Sequence, residues 1–113
     1  MNLKIVSLTN FTKEVKKLYK KYKSLPQDLK ALSKELQRNP QAGISLGRNC
    51  YKIRLANSSI PTGKSAGFRV IYYYLDEYDN LYLMSIYSKG DLENISDEKL
   101  SYILDTFTNG NQL

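Results

Sequence analysis

From the N-terminus the apolar positions first alternate, then recur at helical spacing, then alternate again, and end on another helical stretch. Leu3 to Leu8 reads as a short opening strand, with Leu3 and Ile5 on one side and Lys4 and Val6 on the other. Asn10 is placed to cap a first helix, whose apolar stripe is Phe11, Val15, Leu18, Tyr19 and Tyr22. Lys13, Lys16, Lys17, Lys20, Lys21 and Lys23 lie between these positions. Ser24, followed by Pro26 and Gln27, has the form of a capping-box start for a second helix. Leu25, Leu29, Leu32 and Leu36 give that helix its buried stripe, and Asn39-Pro40 ends it. So short a link predicts an antiparallel helical hairpin.

The second half changes period. Gly43 to Asn49 reads as a loop with two glycines, and Tyr51 to Leu55 alternates as a strand. Asn57 to Gly67 is a loop rich in Ser, Gly and Pro. Phe68 to Leu75 and Leu81 to Ser88 read as a hairpin turning at Asp76 to Asn80. Ser96 is placed to cap a last helix, with Ile95 and Leu100 as its hydrophobic staple and Ile103, Leu104 and Phe107 continuing its stripe. The expected order is strand, two helices, three strands, helix. It predicts an α+β fold, a small antiparallel sheet with the N-terminal helical hairpin packed on it, and one domain over 1–113. The opening strand should join the sheet beside a later one. One sheet face should stay open, or be covered only at its end.

Composition narrows the chemistry. No run approaches the roughly 20 apolar residues of a membrane span, and Met1-Asn2-Leu3-Lys4 opens no signal-peptide core. A single cysteine, Cys50, excludes an internal disulfide framework and fits a reducing cytoplasm. The absence of histidine removes imidazole acid–base chemistry and the common zinc sites, so no metal or other cofactor is expected. Cys50 would lack the usual histidine partner of a nucleophile and reads as a small buried side chain.

The net charge of +6 is unevenly spread. Residues 1–75 hold fifteen basic and three acidic side chains, and residues 76–113 hold two and eight. A basic body suits a polyanion, because phosphate contacts release counterions. A solvated lysine face accounts equally well for the first helix taken alone.

Alternation also selects a face. Ile53 and Leu55 suit a core, which sends Lys52 and Arg54 to the other side. Arg69 should face outward, with Tyr73 on its side, and Tyr87 and Lys89 share a parity on the next strand. Lys64 would reach in from the preceding loop. Cations hold phosphates and tyrosine rings stack on bases, so this set could grip RNA. An ordinary solvated face with core tyrosines fits the same pattern.

Three segments in this order are Cys50-Tyr51-Lys52-Ile53-Arg54-Leu55, Gly67-Phe68-Arg69-Val70-Ile71-Tyr72 and Met84-Ser85-Ile86-Tyr87-Ser88-Lys89. They resemble the sheet motifs of the RelE/HigB toxins of bacterial type II toxin–antitoxin systems, over about residues 3 to 107. The Gly63-Lys64-Ser65 loop resembles the HigB-like branch. The resemblance implies a ribosome-dependent endoribonuclease that cuts mRNA without a metal and is held in check by a cognate antitoxin. It implies Lys52 as candidate general base, crowded by Arg54 and other cations, and Arg54 and Arg69 on the scissile phosphate. Lys89 would assist the leaving group and Tyr87 would stack on a base or orient the phosphate.

Lys89 stands where an arginine is usual in RelE, which loses bidentate contact there, and Ile95 stands where the family has a tyrosine. Two other readings stay open: a non-enzymatic ParE-like toxin acting on gyrase, and an RNA-binding module without cleavage.

Overall fold

The alternating segments become strands and the helical ones helices in the computed structural model, which describes residues 3–61, 66–75, 77 and 79–107. The order is β1 (Lys4–Ser7), α1 (Thr9–Tyr19), α2 (Leu25–Arg38), β2 (Ile44–Gly47), β3 (Cys50–Leu55), β4 (Phe68–Leu75), β5 (Asn80–Ser88) and α3 (Asp97–Thr106). The strands form a five-stranded sheet in the order β1-β5-β4-β3-β2. The α+β reading holds, and the opening strand does join a later one. It runs parallel to β5, with Ile5 opposite Leu81, so the sheet is mixed. No helix among the described residues is long and apolar enough to cross a membrane.

Gly43 to Asn49 is not a loop, as its glycines suggested, but contains β2. Ile44 pairs with Lys52 and Ser45 with Tyr51. The chain reverses through Gly47, Arg48 and Asn49, all at positive φ (83°, 56° and 62°). Residues that tolerate the left-handed region make so tight a turn possible. All four β2 residues are exposed, so the segment lacks the buried face by which alternation is usually recognised.

Helix starts follow the predicted signals in part. Ser96 caps α3, its hydroxyl accepting from the Lys99 N–H at 3.1 Å. Ser24 occupies the N-cap of α2 but makes no cap bond, because its hydroxyl pairs with that of Ser59. Asn10 does not cap α1. Leu8 holds that position, and Asn10 lies inside the helix, donating to the Met84 carbonyl at 2.9 Å and to Glu14 at 2.8 Å.

Alternation on β4 divides the molecule into two cores. Phe68, Val70, Tyr72 and Tyr74 face α1 and α2, meeting Phe11, Leu25, Leu32 and Leu36. Ile71 faces the other way, with Cys50, Met84 and Tyr87, and is covered by Ile103, Leu104 and Phe107 of α3. Ile95 and Leu100 pack on this second core, as the staple predicts. The expected turn at Asp76 to Asn80 includes positions 76 and 78, which lie outside the described residues. Its flanks pair as a hairpin, Leu75 opposite Asn80.

Candidate functional site

Strand register gathers the predicted residues on the α3 side of the sheet. Arg54 on β3 lies opposite Arg69 on β4, which lies opposite Tyr87 on β5, so the three form one cross-strand row. Direct cross-strand neighbours have Cβ atoms about 4.5–5.5 Å apart. Lys52 is on the same face of β3, one repeat away and opposite Ile71. Lys89, with the parity of Tyr87, follows the end of β5, and its N–H donates to the Gly67 carbonyl at 2.9 Å. Lys64 lies outside the described residues.

Burial differs along the row. Arg54 is exposed, whereas Arg69 lies on the expected face but is almost covered (6 % exposed). The expectation that Arg69 points into open solvent is therefore corrected. It sits on the central strand with neighbours on both sides, and Nη1 donates to the Phe68 carbonyl at 3.3 Å. Tyr87 is also buried, and its hydroxyl makes no ordinary hydrogen bond among the described residues. Burial raises the Tyr87 pKa above its usual value, with the Ile95 backbone and the Arg69 charge pulling the other way. Tyr73 shares the face but lies under α3, its ring 5.2 Å from that of Phe107 and edge-on to it. It packs away from the Arg54–Arg69 row.

Two residues that the motifs did not single out as part of the site complete its surroundings. The Lys52 ammonium donates to Asn94 Oδ1 at 3.0 Å. The Lys89 ammonium lies 3.7 Å from the Glu93 carboxylate and 3.4 Å from the Glu93 carbonyl. Both partners come from the stretch between β5 and α3, which has no periodic signal. Leu46, Lys52, Asn94, Ile95, Asp97 and Leu100 line a cleft of about 340 Å³ beside Lys52. Cys50 is fully buried, its thiol pushed up to about 11 by desolvation, in keeping with a structural role. Among the described residues no cluster of His, Cys, Asp or Glu could hold a metal ion.

Two like-charged residues directly opposite one another make this end of the face basic, which suits an anion. Lys52 and Lys89 add two further basic side chains on either side.

The fold is that of the bacterial RelE toxins. A double arginine-to-alanine mutant of the E. coli toxin RelE in the free state matches with a TM-score of 0.62 and 23% identity, over 94% of this chain and 98% of that one. The isolated E. coli RelE toxin matches with a TM-score of 0.58 and 21% identity, over 92% and 98%. The same double mutant in complex with a peptide of the antitoxin RelBc matches at 0.59 and 22%, over 90% and 94%. No family model matches the sequence.

Proposed function

We propose that the chain is the toxin of a type II toxin–antitoxin pair, an endoribonuclease that cuts mRNA on the ribosome and is restrained by its antitoxin. The observation that carries this reading is the Arg54–Arg69 pair, opposed on one sheet face with Lys52 and Lys89 beside it. The RelE fold and a RelE neighbour that holds an antitoxin peptide support the same reading.

In the proposed reaction Arg54 and Arg69 hold the scissile phosphate and stabilise the charge that develops on its oxygens. Lys52 serves as the general base that takes the proton of the ribose 2′-hydroxyl. The 2′-oxygen bonds to the adjacent phosphorus as the bond to the 5′-oxygen breaks. That oxygen takes a proton from the Lys89 ammonium, leaving a 2′,3′-cyclic phosphate and a 5′-hydroxyl. Tyr87 and Lys64 orient the strand, and no metal or other cofactor takes part. Cytoplasmic action follows from the substrate.

The test is a map of mRNA 5′ ends in growing bacteria after induction of the wild-type chain, Arg54→Ala and Arg69→Ala. New ends inside translated frames, lost in both variants, are expected. Growth arrest without new ends would overturn the nuclease reading. Arg54→Ala is the cleaner variant, because its side chain is exposed.

A further inference from the structure

The cleft beside Lys52 has a chemistry that phosphate binding does not explain. Its apolar lining comes from two sides, Leu46 from β2, and Ile95 and Leu100 from the start of α3 and the residues before it. Ile95 and Leu100 pack on the second core, which fixes that wall, whereas Leu46 is 39 % exposed. The volume, about 340 Å³, lies at the lower end of the range for small-molecule pockets, about 300–1,000 Å³. Apolar side chains against the faces of a base, with polar groups at its edge, are how proteins hold a single unstacked base.

Three polar residues line the cleft, Lys52, Asn94 and Asp97. Lys52 and Asn94 are joined by their 3.0 Å bond. Asp97 is exposed. The α3 dipole accounts for an acid at Asp97 or at Glu98, and of the two it is Asp97 that lines the cleft. A carboxylate accepts hydrogen bonds and repels phosphate, so Asp97 can meet RNA only at a donor. The donors of a single strand are its 2′-hydroxyls and the N–H groups of its bases. In the proposed reaction the attacking 2′-hydroxyl goes to Lys52, which leaves Asp97 a base edge.

We infer that the cleft seats an unpaired guanine on the 5′ side of the cut, with Asp97 as the residue that selects it. The inference rests on the proposed cleavage of mRNA. Guanine presents two neighbouring donors, a ring N–H and the exocyclic amino group, which match the two oxygens of a carboxylate. In adenine and cytosine the amino donor stands beside a ring nitrogen that accepts, and in uracil the ring N–H stands between two carbonyls. Each of these sets a lone pair against the second carboxylate oxygen. The place in the strand follows from the sugar. The 2′-hydroxyl that Lys52 deprotonates is one carbon away from the base, so a base beside Lys52 belongs to the attacking nucleotide.

The experiment titrates the full chain with the 3′-monophosphates of guanosine, adenosine, cytidine and uridine, followed by the NMR methyl signals of Leu46, Ile95 and Leu100. The variants are Asp97→Asn, which keeps the shape, and Glu98→Gln, which removes the same charge one residue on. Wild type and Glu98→Gln should bind the guanosine nucleotide about tenfold or more tighter than the other three, and Asp97→Asn should bring all four within about threefold. Equal binding of the four by wild type, or a guanine preference that survives Asp97→Asn in a folded chain, would overturn the inference. Message ends mapped in cells should fall after guanines, and ends after any base would overturn the place on the 5′ side. A chain that selects the guanosine nucleotide through Asp97 yet cuts no message would defeat the nuclease reading and leave the guanine site standing.

Discussion

The Glu14 carboxylate of α1 takes the Lys99 ammonium of α3 on one oxygen at 2.8 Å, and the Ser85 hydroxyl of β5 on the other at 2.7 Å. That second oxygen also accepts from the Ile86 N–H at 3.2 Å and Asn10 Nδ2 at 2.8 Å. These bonds meet where β5 bulges, since Ile71 pairs with Ser85 but Tyr72 with Leu83, leaving Met84 without a register partner. The bulge frees the Met84 carbonyl and the Ile86 N–H, and α1 satisfies both, through Asn10 and Glu14.

Glu14→Ala should therefore destabilise the fold by roughly 2–4 kcal/mol, because it leaves a half-buried N–H without its acceptor and breaks charge-assisted bonds. Glu14→Gln keeps one oxygen as acceptor and loses mainly the Lys99 pair, at a cost of about 1 kcal/mol or less. Urea unfolding of the three chains measures both. Equal midpoints for Ala and wild type would mean that the clasp contributes nothing.

Gly67 should accept no side chain. A Cβ there would lie 2.2 Å from the Leu55 carbonyl oxygen and 2.9 Å from the Asn57 nitrogen, both backbone atoms that cannot swing aside. Gly67→Ala should push the start of β4 from the end of β3, costing about 1–3 kcal/mol. On the proposed mechanism, cleavage should fall further than the loss of folded protein explains, since Arg69 follows two residues on. Thermal unfolding and a cleavage assay on the same sample separate the effects, and full activity would refute the close approach.

How far the sequence went is clearest on β3 and β4. Alternation there placed Lys52, Arg54 and Arg69 on one face, because Ile53 and Leu55 have a core to fill and the intervening cations do not. It could not tell that Arg69 would be covered, since burial on a central strand depends on neighbours that approach only in three dimensions. Asn94 carried no signal, because its place beside Lys52 is fixed by how the chain returns from β5 to α3. β2 escaped for lack of a buried face, and the exchange of Asn10 for Leu8 at the first cap came from the bulge in β5.

Alkaline pH should loosen the fold before it ionises the buried groups. Burial raises the Cys50 thiol from 9.0 to about 11 and the Tyr72 hydroxyl from 10.0 to about 12. Tyr72 donates to the Pro40 carbonyl at 2.8 Å and accepts from the Gly43 N–H at 3.1 Å, which its neutral form serves. Above pH 9 the unfolded chain gives up these protons first. Stability is thus full below that point and falls by about 1.4 kcal/mol per pH unit for each group inside its window. Urea midpoints taken from pH 8 to 11 should decline, and Cys50→Ala should remove the first part of the decline. A flat profile would contradict the burial of both groups.

Asn94→Ala tests whether Lys52 is held in place. The side chain is exposed, so stability should change by no more than about 0.5 kcal/mol. Its amide oxygen accepts from Lys52 Nζ, so on the proposed mechanism its loss lets the proposed base leave its productive geometry. The expected result is a loss of roughly tenfold in kcat with KM little altered. A change in KM alone would make Asn94 a contact for RNA instead.

Tyr87→Phe separates packing from chemistry in the cross-strand row. Burying this hydroxyl costs free energy that the Ile95 backbone only partly offsets, so its removal should leave stability unchanged or raise it by up to about 1 kcal/mol. A fold keeps such a group where something else uses it, and here Arg69 is the neighbour in the same row. On the proposed mechanism, cleavage by the folded variant should fall by about tenfold or more, as the hydroxyl beside Arg69 that helps orient the strand is gone. Tyr87→Leu, which also removes the ring, should cost stability through the cavity it leaves. If Tyr87→Phe cut RNA at the wild-type rate, the tyrosine would be a core residue alone, and catalysis would rest on Lys52, Arg54, Arg69 and Lys89.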